Sequence, residues 1–179
     1  MKVIILCGGV GSRLAEETKL IPKPMVKIGP VPIVQHIINF YKSYNFKEFI
    51  LATGYKKKVI ENYFKNKKNI KCIFTGKNTL TGGRLLRLKK YFSKDENFLL
   101  TYGDGLSNQN LKNLVNFHLK NKKIATLTAV KPPARFGELK IKGNFVNDFK
   151  EKPQLQNNWI NGGFFVFNSK IFKFIKGDR

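Results

Sequence analysis

Acidic residues, cysteine, histidine, tryptophan and arginine are all scarce in this chain, and no apolar run is long. The longest near the start, Val3 to Cys7, stops at Gly8-Gly9, far short of the roughly 20 residues that span a bilayer. The same run lacks the length and the small-residue cleavage site of an export signal. A soluble protein is expected. Cys7 and Cys72 are the only cysteines; two thiols without metal-ligand spacing exclude a disulfide framework and suit a reducing cytoplasm. Neither is expected to be a nucleophile. His36 and His118 fall inside helical patterns and are assigned no role. Repeats, low-complexity linkers and clear boundaries are also lacking, so residues 1–179 are read as one domain.

Acid is the most telling shortage. Eleven Asp and Glu face 34 Lys and Arg, for a formal net charge of +23. Such a field attracts polyanions, including nucleic acid, nucleotides and anionic membranes. Yet Arg stands only at 13, 84, 87, 135 and 179, while Lys is scattered through almost every segment. Base readout favours Arg and clustering on one face. A solvated Lys-rich surface is therefore expected, with neither nucleic acid nor membrane as a partner.

Of the 179 residues, 42% are hydrophobic, enough for a substantial core. Apolar, β-branched stretches predict strands at Lys2–Leu6, Phe49–Thr53, Ile70–Phe74, Asn97–Tyr102 and Ile124–Val130. Helical spacing predicts helices at Ile33–Tyr44, Lys56–Phe64, Leu85–Phe92 and Leu111–Leu119 between them. Gly143-Asn144 marks a hairpin, and Ile160–Phe167 reads as a strand interrupted by Gly162-Gly163. The alternation is that of an α/β protein with a mixed, mainly parallel sheet flanked by helices.

Ligands of such sheets gather at the carboxyl ends of the strands. There the chain places Gly8-Gly9-Val10-Gly11-Ser12-Arg13, where glycines let backbone amides approach phosphates and Arg13 adds a bidentate donor. A dinucleotide fingerprint would need Gly where Leu14 stands, and a P-loop would need Gly-Lys-Ser/Thr. Lys23 lies between Pro22 and Pro24, a stiff mount for a cation that meets a phosphate. Asp104, between Gly103 and Gly105, ends an apolar strand and could hold Mg²⁺ jointly with substrate phosphates. Thr79-Leu80-Thr81-Gly82-Gly83-Arg84 offers hydroxyls and a guanidinium at a helix start, with Thr81 placed to cap it.

In order and spacing, Leu6 to Leu14 followed by Lys23 between prolines resembles the signature of sugar-phosphate nucleotidyltransferases. Thr81-Gly82-Gly83-Arg84-Leu85, Thr101 to Gly105, Arg135-Phe136-Gly137, Glu151-Lys152-Pro153 and Ile160 to Phe165 extend the likeness over nearly the whole chain, towards the members that use CTP. The resemblance implies a Rossmann-like sheet, Mg²⁺ as cofactor, and CTP and glucose 1-phosphate as substrates giving CDP-glucose for surface polysaccharide. It assigns Leu6, Cys7, Gly8, Gly9, Val10, Gly11, Ser12, Arg13, Lys23, Thr79, Arg84 and Gly103 to the nucleotide, and Glu151, Lys152, Asn161 and Gly162 to the sugar phosphate. Arg13, Lys23 and Asp104 would be catalytic, with Asp104 the metal ligand. The family is also expected to form oligomers, to carry a longer segment where this chain runs Lys65 to Asn78, and to continue past the equivalent of Arg179 into a region with a second metal carboxylate. UTP or dTTP in place of CTP, or a nucleotide-binding fragment with an incomplete site, are the alternatives.

Overall fold

A computed structural model describes residues 1–9, 20–132, 136–151 and 159–178. These fall into two compact units, one of residues 1–126 and 163–179, the other of residues 127–162.

The core of the first unit is a sheet whose strands alternate between two buried faces. Strands β1 (Val3–Cys7), β4 (Phe49–Thr53), β5 (Ile70–Phe74) and β6 (Asn97–Tyr102) run parallel in the order β5-β4-β1-β6. The strand β10 (Ile160–Asn168) adds antiparallel to β6, and β7 (Ala125–Val130) follows it at the edge. Val3, Ile5 and Cys7 project to one side with Leu51 and Leu99, where helices α1 (Ile33–Ser43), α2 (Lys57–Phe64) and α4 (Leu111–Asn121) pack through Ile37, Ile60 and Leu111. Ile4, Ile50 and Leu100 project to the other, against Leu85 of the short helix α3 (Thr81–Arg87), Leu88 and Phe172. Because both faces are covered, β1 and β4 read as continuous apolar runs rather than as alternating ones.

Pro32 precedes α1, and the chain leaves that helix through Asn45 at φ 67°, a left-handed exit that asparagine tolerates. Asn110 caps α4 by accepting from the Asn113 amide at 3.1 Å. Two differences from the sequence expectation stand out. A two-stranded hairpin of β2 (Lys27–Ile28) and β3 (Val31–Pro32) precedes α1, too short to leave a pattern. Helix α3 begins at Thr81 instead of Leu85 and ends at Arg87, with a 3-10 turn at Lys89–Tyr91. Its cap position is Leu80, which makes no side-chain bond, so the expected Thr81 cap is not formed. Gly82 and Gly83 are thus helical. A Cβ on Gly83 would strike Asp178, and one on Gly82 would touch Ile175; the glycines let residues 175–178 lie against the helix.

The second unit holds the hairpin β8 (Glu138–Lys142) and β9 (Phe145–Lys150), joined at Gly143-Asn144 as the turn signal predicts, with Gly143 at φ 62°. A register shift between Lys140 and Ile141 puts a bulge in the pair.

Candidate active site at the carboxyl ends of β1 and β6

The parallel register sets Leu6 of β1 beside Tyr102 of β6, and the Gly103 amide donates to the Leu6 carbonyl at 3.0 Å. Both strands then end in glycine. Gly8-Gly9 and Gly103-Asp104 form two walls of a cavity of about 530 Å³ that is also lined by Lys23, Pro24, Thr79 and Arg84. This is the place where open α/β sheets receive ligands.

Lys23 opens a 3-10 turn, Lys23–Met25, closed by the Met25 amide on the Pro22 carbonyl at 2.8 Å, with Pro24 and Met25 buried. The turn packs on Gly103, where a Cβ would sit 2.9 Å from the Pro24 ring. That contact delivers Lys23 to Asp104, and the two form an ion pair inside the cavity. Among the described residues Asp104 is the only acid on the lining, and no group of three or more His, Cys, Asp or Glu could enclose a metal. A lone, partly exposed carboxylate fits a divalent cation that takes its other oxygens from phosphate and water, not one caged by protein.

Arg84 is the most heavily bonded side chain of the site. It is 5% exposed. Its Nη1 donates to the Gly76 carbonyl at 2.6 Å, the Thr75 hydroxyl at 3.0 Å and the Thr53 carbonyl at 3.4 Å; Nη2 donates to the carbonyls of Gly8 at 2.9 Å and Lys77 at 3.2 Å. One guanidinium therefore gathers the carboxyl ends of β1, β4 and β5. Burial, then Arg87 nearby, lowers its pKa, but a guanidinium remains charged in any case. Gly8 and Gly54 make room for it, since a Cβ on either would overlap the guanidinium.

The structure thus brings together Leu6, Gly8, Gly9, Lys23, Thr79, Arg84, Gly103 and Asp104. Cys7 is placed differently: strand alternation turns its fully buried side chain into the core, where burial pushes the thiol pKa well up, and it does not line the cavity. Val10, Gly11, Ser12, Arg13 and Lys152 lie outside the described residues. Glu151, Asn161 and Gly162 belong to the second unit, Glu151 just after β9 and the other two on β10, where Gly162 packs on Thr128 and Val130. Sequence reading missed Thr75 and Gly54, whose one available signal is their position just beyond β5 and β4. It also missed Leu80, an exposed side chain on the cavity rim.

Comparison with known proteins agrees with this geometry. The chain is 42% identical over 203 residues to the glucose-1-phosphate cytidylyltransferase of Salmonella typhimurium, covering 99% of this chain and 79% of that protein. It is 34% identical over 181 residues to the D-glycero-alpha-D-manno-heptose 1-phosphate guanylyltransferase of Aneurinibacillus thermoaerophilus, covering 97% and 77%. The crystal structure of HddC from Yersinia pseudotuberculosis superposes with a TM-score of 0.75 at 28% identity, covering 99% of this chain and 81% of that one. The family model described as nucleotidyl transferase matches residues 2–179, and the chain belongs to that family.

Proposed function

We propose that the protein joins CTP to glucose 1-phosphate, releasing pyrophosphate and CDP-glucose. The observation that carries this reading is the single cavity in which backbone glycines, Lys23 and Asp104 converge, taken with the 42% identity to a glucose-1-phosphate cytidylyltransferase. A phosphate oxygen of the sugar phosphate attacks the α-phosphorus of CTP; the bond from that phosphorus to the bridging oxygen of pyrophosphate breaks in line. No covalent protein intermediate is needed.

Both reactants are polyanions, so the residues act chiefly by neutralising and orienting charge. Amides of Gly8 and Gly9 approach the triphosphate because no side chain stands in the way. Lys23 moves from Asp104 to the phosphates and balances charge gathering on the leaving oxygens. Asp104, once free of Lys23, would hold Mg²⁺, which would supply charge stabilisation to the substrate phosphates. Arg13 adds a second cation, and Thr79 holds the nucleotide. Glu151, Lys152, Asn161 and Gly162 take the sugar phosphate. A triphosphate substrate and two unpaired thiols, Cys7 and Cys72, suit the cytoplasm. Among the described residues no helix is long and apolar enough to cross a membrane. CDP-glucose made there would feed surface polysaccharide, and a homo-oligomer is the expected assembly.

The test is pyrophosphate release from glucose 1-phosphate and Mg²⁺ with each nucleoside triphosphate in turn. Release with CTP alone is expected. Release with UTP or dTTP instead would keep the chemistry and overturn the base; CTP binding without release with any would make the protein a nucleotide binder.

A further inference from the structure

We propose that the first unit carries a second ligand site, for an organic phosphate with an aromatic body, at the edge of the sheet opposite the nucleotide cavity. Here Ser93, Lys94 and Asp95 lead into β6 and Ser169 to Lys173 leave β10, so the cleft lies at the amino ends of the parallel strands. Its volume, about 630 Å³, exceeds that of the nucleotide cavity.

The walls are cationic and the floor is apolar. Arg87, Lys89, Lys90, Lys94, Lys170 and Lys173 line the cleft, against one lining acid among the described residues, Asp95. Lys170 pairs with Asp95 at 2.7 Å, and Arg87 pairs with Asp178. Among the described residues Lys89, Lys90, Lys94 and Lys173 have no ion-pair partner. Lys94 and Lys173 are felt at Asp95, whose carboxyl is held below the usual range first by the Lys170 hydrogen bond.

Lysines alone would be a solvated surface in a chain so rich in them. The floor makes this cleft different. Phe172 is 5% exposed, Phe92 is half-buried, and their rings lie 5.8 Å apart with Phe98 stacked 5.9 Å behind Phe172. The Lys2 ammonium lies 5.3 Å over the Phe92 ring and Phe98 lies 4.4 Å from it, so a planar body in the cleft would meet Phe92 and Phe172 at their edges, the edge-to-face contact that aromatic rings favour, while its phosphate reached the surrounding ammonium groups. Simple anions would have the walls but not the floor; neutral aromatics would have the floor but not the walls. Arg87 joins this cleft to the first, since it also donates to the Thr75 carbonyl at 3.1 Å and the Thr75 hydroxyl accepts from Arg84.

Calorimetric titration of the whole chain with 1-naphthyl phosphate and with inorganic phosphate, at fixed ionic strength, tests the site. Naphthyl phosphate is expected to bind at least about tenfold more tightly than inorganic phosphate. Its affinity should fall at least about tenfold in Lys94→Glu/Lys173→Glu, both exposed positions, and stay unchanged in Lys23→Ala. Equal affinity for the two anions would overturn the proposal by reducing the cleft to counter-ion attraction. Loss in Lys23→Ala with no effect of the double substitution would move the ligand to the nucleotide cavity, and no binding at 10 mM, roughly the weakest affinity such a cleft would give, would overturn it outright.

Discussion

Lys23 shows how much of a site can rest on one short turn. Two prolines fix its backbone, Pro24 is wedged against Gly103, and the ammonium is aimed into the cavity at Asp104. Its role follows from that fixed backbone: only the ammonium has to turn from Asp104 to the phosphates, whereas a cation on a flexible loop would lose entropy each time a triphosphate arrived. Lys23→Ala should lower kcat by about 100-fold or more while thermal unfolding is unchanged; steady-state kinetics beside a melting curve checks both halves. Unaltered kcat would remove Lys23 from the chemistry. At the same scale lies a limit of sequence reading: Lys23, Asp104 and the glycines were legible because residue type and strand-end position state their role. Arg84 was named for the nucleotide, but its clasp was not legible, since the carbonyls it binds come from β1, β4 and β5, brought together only by the sheet.

At the scale of elements, β4, β5 and β6 have the bounds that their apolar stretches predict. Buried parallel strands leave the plainest signal, because both of their faces must be apolar. Helix α3 was displaced by four residues for an equally physical reason. Glycine is a poor helix former, so the predicted helix starts after Gly82-Gly83; the fold places them inside it, where their bare backbone leaves room for Ile175 and Asp178. The following residue then points Arg84 beneath the strand ends. This geometry predicts that Arg84→Gln costs at least about 3 kcal/mol, since several buried carbonyls lose a charged donor at once. Urea denaturation measures it, and a loss under 1 kcal/mol would mean that water or a neighbour takes over those carbonyls.

For the molecule as a whole, the charge of +23 was the sequence feature with least to say about fold, since its lysines are scattered through almost every segment. Global stability has a more specific pH handle. His118 is 2% exposed on α4, with Nδ1 2.9 Å from the Thr126 hydroxyl and Nε2 3.4 Å from the Asn97 amide oxygen. Burial lowers its pKa below the ordinary 6.5. The unfolded chain therefore takes up the proton first, so this contribution is complete above pH 6.5 and is lost as pH falls from there towards the folded-state value. Melting curves of the wild type and His118→Gln should diverge at high pH and draw together as pH falls from 7.5 to 5, roughly the span over which a histidine titrates; a constant gap would refute it. The clasp at the strand ends bears in turn on the lineage of this molecule. The atoms nearest to a side chain on Gly8 would all be those of Arg84, whereas one on Gly54 would also come within 2.6 Å of the Gly8 and Gly76 carbonyls. Gly54 is thus held by backbone on two sides, while Gly8 is held by the length of Arg84 as well as by its own place against the triphosphate. Gly8 and Arg84 are therefore inherited as one character: a shorter residue at 84 has to come before any side chain at 8.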